Sequence, residues 1–276
     1  MCTDGLKRLA RRVGGRAAQD VLSRMGYDLV KRQGGPKPLP IDFDKETSRT
    51  IEAVQSHTLT TPERVFALCQ AVRYLERTEV PGAIVECGVW RGGSMMAVAR
   101  TLLELGSTDR DLYLFDTFSY MPKPTGADIH VSGRSGADIW DEAAKTEAFP
   151  YLPFEEVRAA VGATGYPPSR LHFIEGLVED TLPRRAPSRI ALCRLDTDWY
   201  ESTRHELRTL VPLIACGGVL LIDDYGEFLG ARRAVDEYVA ETGLRVLLQR
   251  IDRSGRLAVM PGLPEAHGAE RSERPC

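Results

Sequence analysis

Four aspartates that follow two predicted strands suggest a metal site. Asp196 ends a predicted strand at residues 190–196, Asp198 lies two residues further on, and Asp223 and Asp224 end another strand at residues 218–224. The carboxyl ends of neighbouring parallel strands meet at one edge of a sheet, so these carboxylates converge there. Without basic partners they would repel one another and their pKa values would rise. A divalent hard cation removes that repulsion, so we predict Mg²⁺ held by Asp196, Asp223 and Asp224.

Asp198 is left free to accept a proton, because it lies on the same strand face as Asp196 and is not needed as a ligand. Binding to Mg²⁺ lowers the pKa of a hydroxyl, and two adjacent hydroxyls chelate the ion, so the expected acceptor is a vicinal diol. His130, in a long irregular segment, is the alternative base. The alternative for all four aspartates is that they are helix caps and turn residues, which are common after strands.

A glycine-rich turn predicts an adenosine-containing cofactor. Gly88 allows a sharp turn after the first strand, and Gly92 and Gly93 allow the backbone to approach a ligand closely before the next helix. Glu86 suits the cationic amino acid end of S-adenosylmethionine better than a pyrophosphate. Asp116, at the end of the second strand, is placed to accept hydrogen bonds from ribose hydroxyls, or else to cap the following turn. The predicted cofactor contacts are Glu86, Gly88, Trp90, Arg91, Gly92, Ser94, Asp116, Glu175, Gly176 and Asp196.

The elements that must position these residues alternate between strand and helix. Strands are predicted at residues 83–89, 111–118, 170–177, 190–196 and 218–224, with helices at 94–105, 202–214 and 230–242. Such alternation is typical of a parallel sheet covered on both faces. Residues 244–251 and 256–260 flank a turn and predict an antiparallel hairpin. We therefore predict an α/β fold with a doubly wound, mostly parallel, seven-stranded Rossmann-like sheet, which fits a methyltransferase better than a nicotinamide-binding protein.

The domain organisation follows from the remaining segments. Residues 1–40 predict a helical arm (residues 10–27) with a linker, and residues 263–276 a flexible tail. Residues 41–262 form the main domain, which begins with helices up to residue 80; there Thr61 is the expected N-cap and Pro62 the first helical residue. Residues 119–155 are rich in proline and glycine and too irregular for the alternation, so we expect an active-site lid.

Composition excludes several classes of protein. The 276 residues carry a formal net charge of −3, which gives no electrostatic case for nucleic acid or membrane binding. The six cysteines form no C-x-x-C pair, so they predict small buried residues of a reduced, cytoplasmic protein. No apolar run reaches the ~20 residues that a membrane span requires.

Taken together, these motifs resemble the macrocin O-methyltransferase family, the sugar O-methyltransferases of antibiotic biosynthesis. The resemblance extends over roughly residues 50–260 and is carried by VECGVWRGGS (85–94), LFDTF (114–118), LDTDWYEST (195–203), IDDY (222–225) and ARRAVD (231–236). It implies Mg²⁺- and S-adenosylmethionine-dependent methylation of a deoxysugar hydroxyl, with the 4-hydroxyl of noviose in aminocoumarin assembly as the nearest case. It also implies a homodimer or higher oligomer.

Three alternatives stay open from the residues alone. A metal-dependent enzyme that methylates catechols shares the fold and the chemistry. A nicotinamide-dependent oxidoreductase shares the glycine-rich turn, although the hairpin and the aspartate pairs argue against it. A binding module without catalysis predicts that the aspartates are dispensable.

Overall fold

The computed structural model describes residues 39–146 and 152–261. Its helices are α1 (Lys45–Val54), α2 (Pro62–Arg77), α3 (Gly93–Glu104), α4 (Gly136–Thr146), α5 (Phe154–Gly162), α6 (Val178–Arg185), α7 (Tyr200–Leu210) and α8 (Leu229–Thr242). Its strands are β1 (Ala83–Cys87), β2 (Leu112–Asp116), β3 (Leu171–Glu175), β4 (Ile190–Leu195), β5 (Ile214–Ile222), β6 (Gln249–Arg250) and β7 (Arg256–Val259). The predicted arm (residues 10–27) and tail (residues 263–276) lie outside the described residues.

The sheet confirms the predicted α/β fold. Seven strands lie in the order β3-β2-β1-β4-β5-β7-β6. The pairs among β1 to β5 are parallel, whereas β7 runs antiparallel to β5 and to β6, so the predicted hairpin closes the sheet. The strand order reverses between β1 and β4, and the crevice outside the carboxyl ends there is where open α/β sheets bind ligands.

Alternate side chains of the strands build two cores, one on each face of the sheet. Leu192 of β4 belongs to the core that α2, α3 and α5 cover. The next residue, Cys193, belongs to the opposite core, under α6, α7 and α8. This alternation follows from the two-residue period of a strand, and it leaves the strand ends as the place for a site because helices cover both faces.

The start of α2 is tied to the hairpin. Thr61 caps the helix as predicted, since its side chain accepts a hydrogen bond from the Arg64 amide at 3.3 Å. The Thr61 hydroxyl donates to Asp252 Oδ2 at 2.8 Å, and Arg64 Nε donates to the same oxygen at 3.0 Å. Asp252 in turn accepts the amide of Gly255 at 2.6 Å, which closes the hairpin turn. These bonds turn the Arg64 guanidinium towards the carboxyl end of β5.

The predicted irregular lid is wrong in one respect, because it contains α4. The prolines and glycines around this helix hid its short amphipathic pattern. The loop before α4 is anchored by the buried Asp128, whose carboxylate accepts from the amides of Thr125 and Tyr200, each at 2.7 Å. Helices α5 and α6 were also not predicted.

The cysteines follow the prediction in part. Cys69, Cys87 and Cys193 are buried, but Cys216, near the start of β5, is exposed. Cys2 and Cys276 lie outside the described residues. Among the helices of residues 39–146 and 152–261, none combines the length and apolar character needed to cross a membrane.

Candidate active site

A cavity of about 860 Å³ lies at the carboxyl ends of β1, β2, β4 and β5. Its walls come from the glycine-rich turn, the loop before α2, helix α4 of the predicted lid and the loops that follow β4 and β5. This is the switch point of the sheet, where the sequence predicted both the cofactor and the metal.

Backbone conformation and close packing both require glycine in the glycine-rich turn. Gly88 and Gly92 have φ of 84° and 86°, a region that strongly favours glycine. A Cβ on Gly92 would lie 2.7 Å from a side-chain methyl of Val161, and one on Gly93 would lie 2.5 Å from the carbonyl oxygen of His57. The close approaches that the structure shows at Gly92 and Gly93 are to α5 and to the loop before α2, and their contact with a cofactor stays a prediction.

Asp116 holds this turn in place. Its Oδ2 accepts from the amides of Val89 at 2.5 Å and Trp90 at 2.9 Å, and its Oδ1 accepts from the amide of Phe118 at 2.7 Å. The carboxylate also lines the cavity. It therefore caps the turn after β2, the alternative role considered for it, and its contact with a ribose stays a prediction.

The predicted cofactor contacts divide into two groups. Those that line the cavity are Gly88, Trp90, Ser94, Asp116, Gly176 and Asp196. Of the others, Glu86 is buried beneath the cavity, Gly92 packs against α5, and Glu175 is exposed at the end of β3. The Arg91 guanidinium lies 4.6 Å from the ring centroid of Trp90.

A buried arginine lies under the site and was missed. Glu86 and Arg194 are direct neighbours on the parallel strands β1 and β4, and Arg194 Nη1 donates to Glu86 Oε1 at 2.8 Å. Burial raises the pKa of Glu86 to about 7, although the Arg194 charge acts to lower it. The signal was present in the sequence, because each residue is a charged side chain inside an otherwise apolar strand.

Arg194 also joins the two aspartate pairs. Its guanidinium donates to Asp196 Oδ2 and to Asp223 Oδ1, both at 2.5 Å, and to the Thr60 hydroxyl at 2.8 Å. Burial acts to lower the pKa of Arg194, but the carboxylates around it raise that pKa further above its usual range. Arg64 donates to the second oxygen of Asp223. The premise that the carboxylates have no basic partners is therefore wrong.

Three carboxylates lie close together beside the two arginines. Oxygens of Asp196, Asp198 and Asp224 all lie within 4.8 Å of one another, which is a spacing that suits a shared cation. Burial, together with repulsion between the carboxylates, raises the pKa values of Asp196 and Asp224. Burial raises the pKa of Asp198 to about 6. The structure thus groups Asp198 with Asp196 and Asp224, whereas Asp223 lies between the two guanidinium groups.

Asp198 lies in a turn with an uncommon backbone conformation. Glu206, which the sequence analysis did not identify, stabilises this turn. Its φ is 64°, an uncommon conformation for a residue other than glycine. The preceding residue, Thr197, donates its hydroxyl to Glu206 Oε1 at 2.9 Å, and the amide of Trp199 donates to the Thr197 carbonyl at 2.7 Å. Glu206 is buried, which raises the pKa of its carboxyl well above the usual value.

His130 faces the same cavity as Asp198. Its Nδ1 lies 2.7 Å from the Ser132 hydroxyl and its Nε2 lies 3.4 Å from Glu227 Oε1. The ring packs edge-on against Phe228, with centroids 5.6 Å apart. Both residues considered as the base are therefore within the site.

The fold and the site are those of a Rossmann-like methyltransferase, a class of enzyme that uses S-adenosylmethionine. Residues 24–257 match the macrocin O-methyltransferase (TylF) family. The chain therefore belongs to this family, which confirms the predicted resemblance and the predicted enzyme class, an S-adenosylmethionine-dependent O-methyltransferase. The nicotinamide alternative is set aside.

Individual relatives and solved structures agree with this assignment. The 4'-O-methyltransferase of 8-demethyl-8-(2,3-dimethoxy-alpha-L-rhamnosyl)-tetracenomycin C from Streptomyces olivaceus is 34% identical over 200 residues, 72% of this chain and 74% of that protein. Demethyldecarbamoylnovobiocin O-methyltransferase from Streptomyces niveus is 32% identical with the same coverage of 72% and 74%. The solved structure of the O-methyltransferase NovP superposes with a TM-score of 0.66 at 29% identity, covering 75% of this chain and 83% of NovP.

Proposed function

We propose that this enzyme transfers the methyl group of S-adenosylmethionine to a hydroxyl of a deoxysugar on a glycosylated antibiotic precursor, with the help of Mg²⁺. The observation that carries the proposal is the cluster of three carboxylates from Asp196, Asp198 and Asp224. This cluster lines the same cavity as the cofactor turn. The relatives named above act on glycosides, which supports a sugar acceptor. The 4-hydroxyl of noviose is the specific acceptor that we propose.

Asp196 and Asp224 are proposed as metal ligands, because they belong both to the predicted set and to the group that the structure brings together. Asp223 was the third predicted ligand, but both of its oxygens bond to arginines here. Bound Mg²⁺ would lower the pKa of an acceptor hydroxyl and stabilise its negative charge. Oxygen ligands suit this ion, and the repulsion that raises the pKa values of Asp196 and Asp224 is what a cation relieves.

Asp198 is proposed as the residue that takes the hydroxyl proton. One of its oxygens lies within 4.8 Å of oxygens of both proposed ligands, so its carboxylate would lie beside a hydroxyl that the metal holds and could accept its proton. The leaving group is a neutral thioether that needs no acid, so one base is sufficient. Asp116 holds the cofactor turn through the amides of Val89 and Trp90. We also propose that the enzyme is a homodimer or a higher oligomer, as the resemblance implies.

The test is a panel of acceptors incubated with S-adenosylmethionine labelled in its methyl group. We expect label in glycosides that carry a vicinal diol, with NMR placing the new methyl on a sugar oxygen. The panel also includes simple catechols, which the alternative catechol-type enzyme would methylate. Labelled catechols with unlabelled glycosides would overturn the sugar assignment.

A further inference from the structure

We propose that the half-buried face of the lid helix α4, centred on Trp140, binds the apolar aglycone of a neutral glycoside acceptor. This inference rests on the proposed function and specifies its substrate class. It assigns the aglycone to one wall of the cavity and favours a neutral glycoside over a sugar nucleotide as the acceptor.

The first observation is that α4 is amphipathic but does not serve the core. Ile139, Trp140 and Ala143 are half-buried on one face of the helix, whereas Asp138 and Asp141 are exposed on the other. The apolar face of such a helix usually packs against the sheet. In the described part of the chain, neither Ile139 nor Trp140 belongs to the two clusters that form the core. Ile139, Trp140 and Ala143 line the cavity instead.

The second observation is that Trp140 is held in position. Its indole Nε1 donates to the carbonyl oxygen of Met121 at 3.0 Å, and Lys123 Nζ lies 5.1 Å from the ring centroid. A ring fixed before binding loses little conformational entropy when a ligand packs against it, so it contributes more to affinity. Met121 and the half-exposed Tyr120 continue the same wall of the cavity.

The third observation is the charge of the cavity. Among the described residues, those that line it include seven carboxylates and two arginines: Asp116, Glu179, Asp196, Asp198, Asp223, Asp224 and Glu227, with Arg64 and Arg134. Arg64 is bonded to Asp223 and Asp252, and Arg134 to Glu142. A diphosphate is usually recognised by arginine or lysine, so this cavity disfavours a sugar nucleotide and favours a neutral acceptor.

The two halves of the cavity therefore match the two halves of a glycoside. The carboxylates at the floor face the hydroxyls of the sugar, and the wall formed by α4 and Met121 faces an apolar aglycone. Aromatic side chains are the residues that contribute most binding energy at such contacts. The ring of Trp140 is accordingly assigned as a determinant of acceptor specificity.

The experiment compares the variants Trp140→Ala, Trp140→Phe and Asp141→Ala with the wild type. Asp141→Ala is the matched control, since it removes an adjacent, exposed side chain of the same helix. The acceptors are demethyldecarbamoylnovobiocin, the methyl glycoside of the same sugar, and the thymidine diphosphate ester of that sugar. KM is measured for each acceptor, and calorimetry measures the affinity for the glycoside in the presence of S-adenosylhomocysteine.

For Trp140→Ala we expect KM and the dissociation constant for the full glycoside to rise roughly tenfold or more, as for loss of an aromatic anchor. The methyl glycoside should change less than about threefold, and Asp141→Ala should stay near the wild type. Trp140→Phe should lie between the wild type and Trp140→Ala, because it keeps an aromatic ring but loses the hydrogen bond to Met121. An equal effect on both glycosides, no effect on either, or a preference for the diphosphate ester would overturn the proposal. If no acceptor is methylated, the proposed function fails, and the calorimetric comparison still decides whether Trp140 binds the aglycone.

Discussion

Replacing the buried Arg194 by methionine tests the electrostatic account of the site. The variant keeps much of the apolar volume of the side chain but removes the charge that Glu86, Asp196 and Asp223 share. Arg194 and Glu86 have 5% and 1% of their side-chain surface exposed, so water cannot replace the lost bonds. We expect Arg194→Met to lower the free energy of unfolding by about 3–5 kcal/mol at pH 8, the usual cost of leaving buried charges unpaired.

The assay is denaturant unfolding of the metal-free protein at pH 8 and at pH 5.5. The pKa of Glu86 in the folded protein is raised to about 7. A carboxyl whose pKa is raised by folding stabilises the folded state when protonated, so stability falls as pH rises through that value. The cost of Arg194→Met should therefore be smaller at pH 5.5, where Glu86 is neutral. For the same reason the double variant with Glu86→Gln should recover part of the loss at pH 8.

The matched control is Arg208→Met, which breaks an ion pair with Glu241 whose side chains are about half exposed. Exposed pairs contribute about 0–1 kcal/mol, so this variant should unfold almost like the wild type. A cost for Arg194→Met as small as that of Arg208→Met would refute the reasoning. So would a cost that does not depend on pH.

Three further predictions follow from individual contacts. Asp198→Asn should lower kcat by roughly 10²–10⁴ and weaken Mg²⁺ binding, measured by calorimetry, far less; a loss of Mg²⁺ affinity as large as the loss of turnover would instead make Asp198 a ligand and leave His130 as the base in this cavity. Gly88→Ala should lower the unfolding free energy by about 2 kcal/mol or more and weaken binding of S-adenosylhomocysteine, because φ is 84° and a Cβ would overlap the Asp196 carbonyl; unchanged melting and affinity would contradict this. Glu206→Gln should become increasingly stable relative to the wild type as pH rises above 4.5. The reason is that burial raises the pKa of Glu206, so ionisation of this carboxyl destabilises the folded wild type. A difference between the two unfolding free energies that does not change with pH would contradict this.

The fold was largely predictable because its signals are local. The apolar runs of β1 to β5 and the glycines between β1 and α3 identify a doubly wound sheet, and the strand ends differ from the prediction by only a few residues. The main exceptions lie around the lid. Helix α4 packs its apolar face on a cavity instead of the core, so its short pattern between proline and glycine residues did not predict a helix.

The site was predictable at the level of which aspartates converge, but not of how they pair. Asp223 and Asp224 are adjacent at one strand end, so the sequence alone predicts both equally well as metal ligands. Only the three-dimensional arrangement brings Arg64 from α2 and Arg194 from β4 to Asp223, which separates it from Asp224. The left-handed turn that brings Asp198 to the group depends on backbone geometry and on Glu206, nine residues beyond Thr197.

The most direct test of the central claim is methyl transfer from labelled S-adenosylmethionine to demethyldecarbamoylnovobiocin in the presence of EDTA, followed by addition of excess Mg²⁺. The account predicts that EDTA abolishes transfer, that Mg²⁺ restores it, and that Asp224→Asn cannot be restored in the same way. Undiminished transfer in EDTA, with Asp224→Asn as active as the wild type, would contradict it.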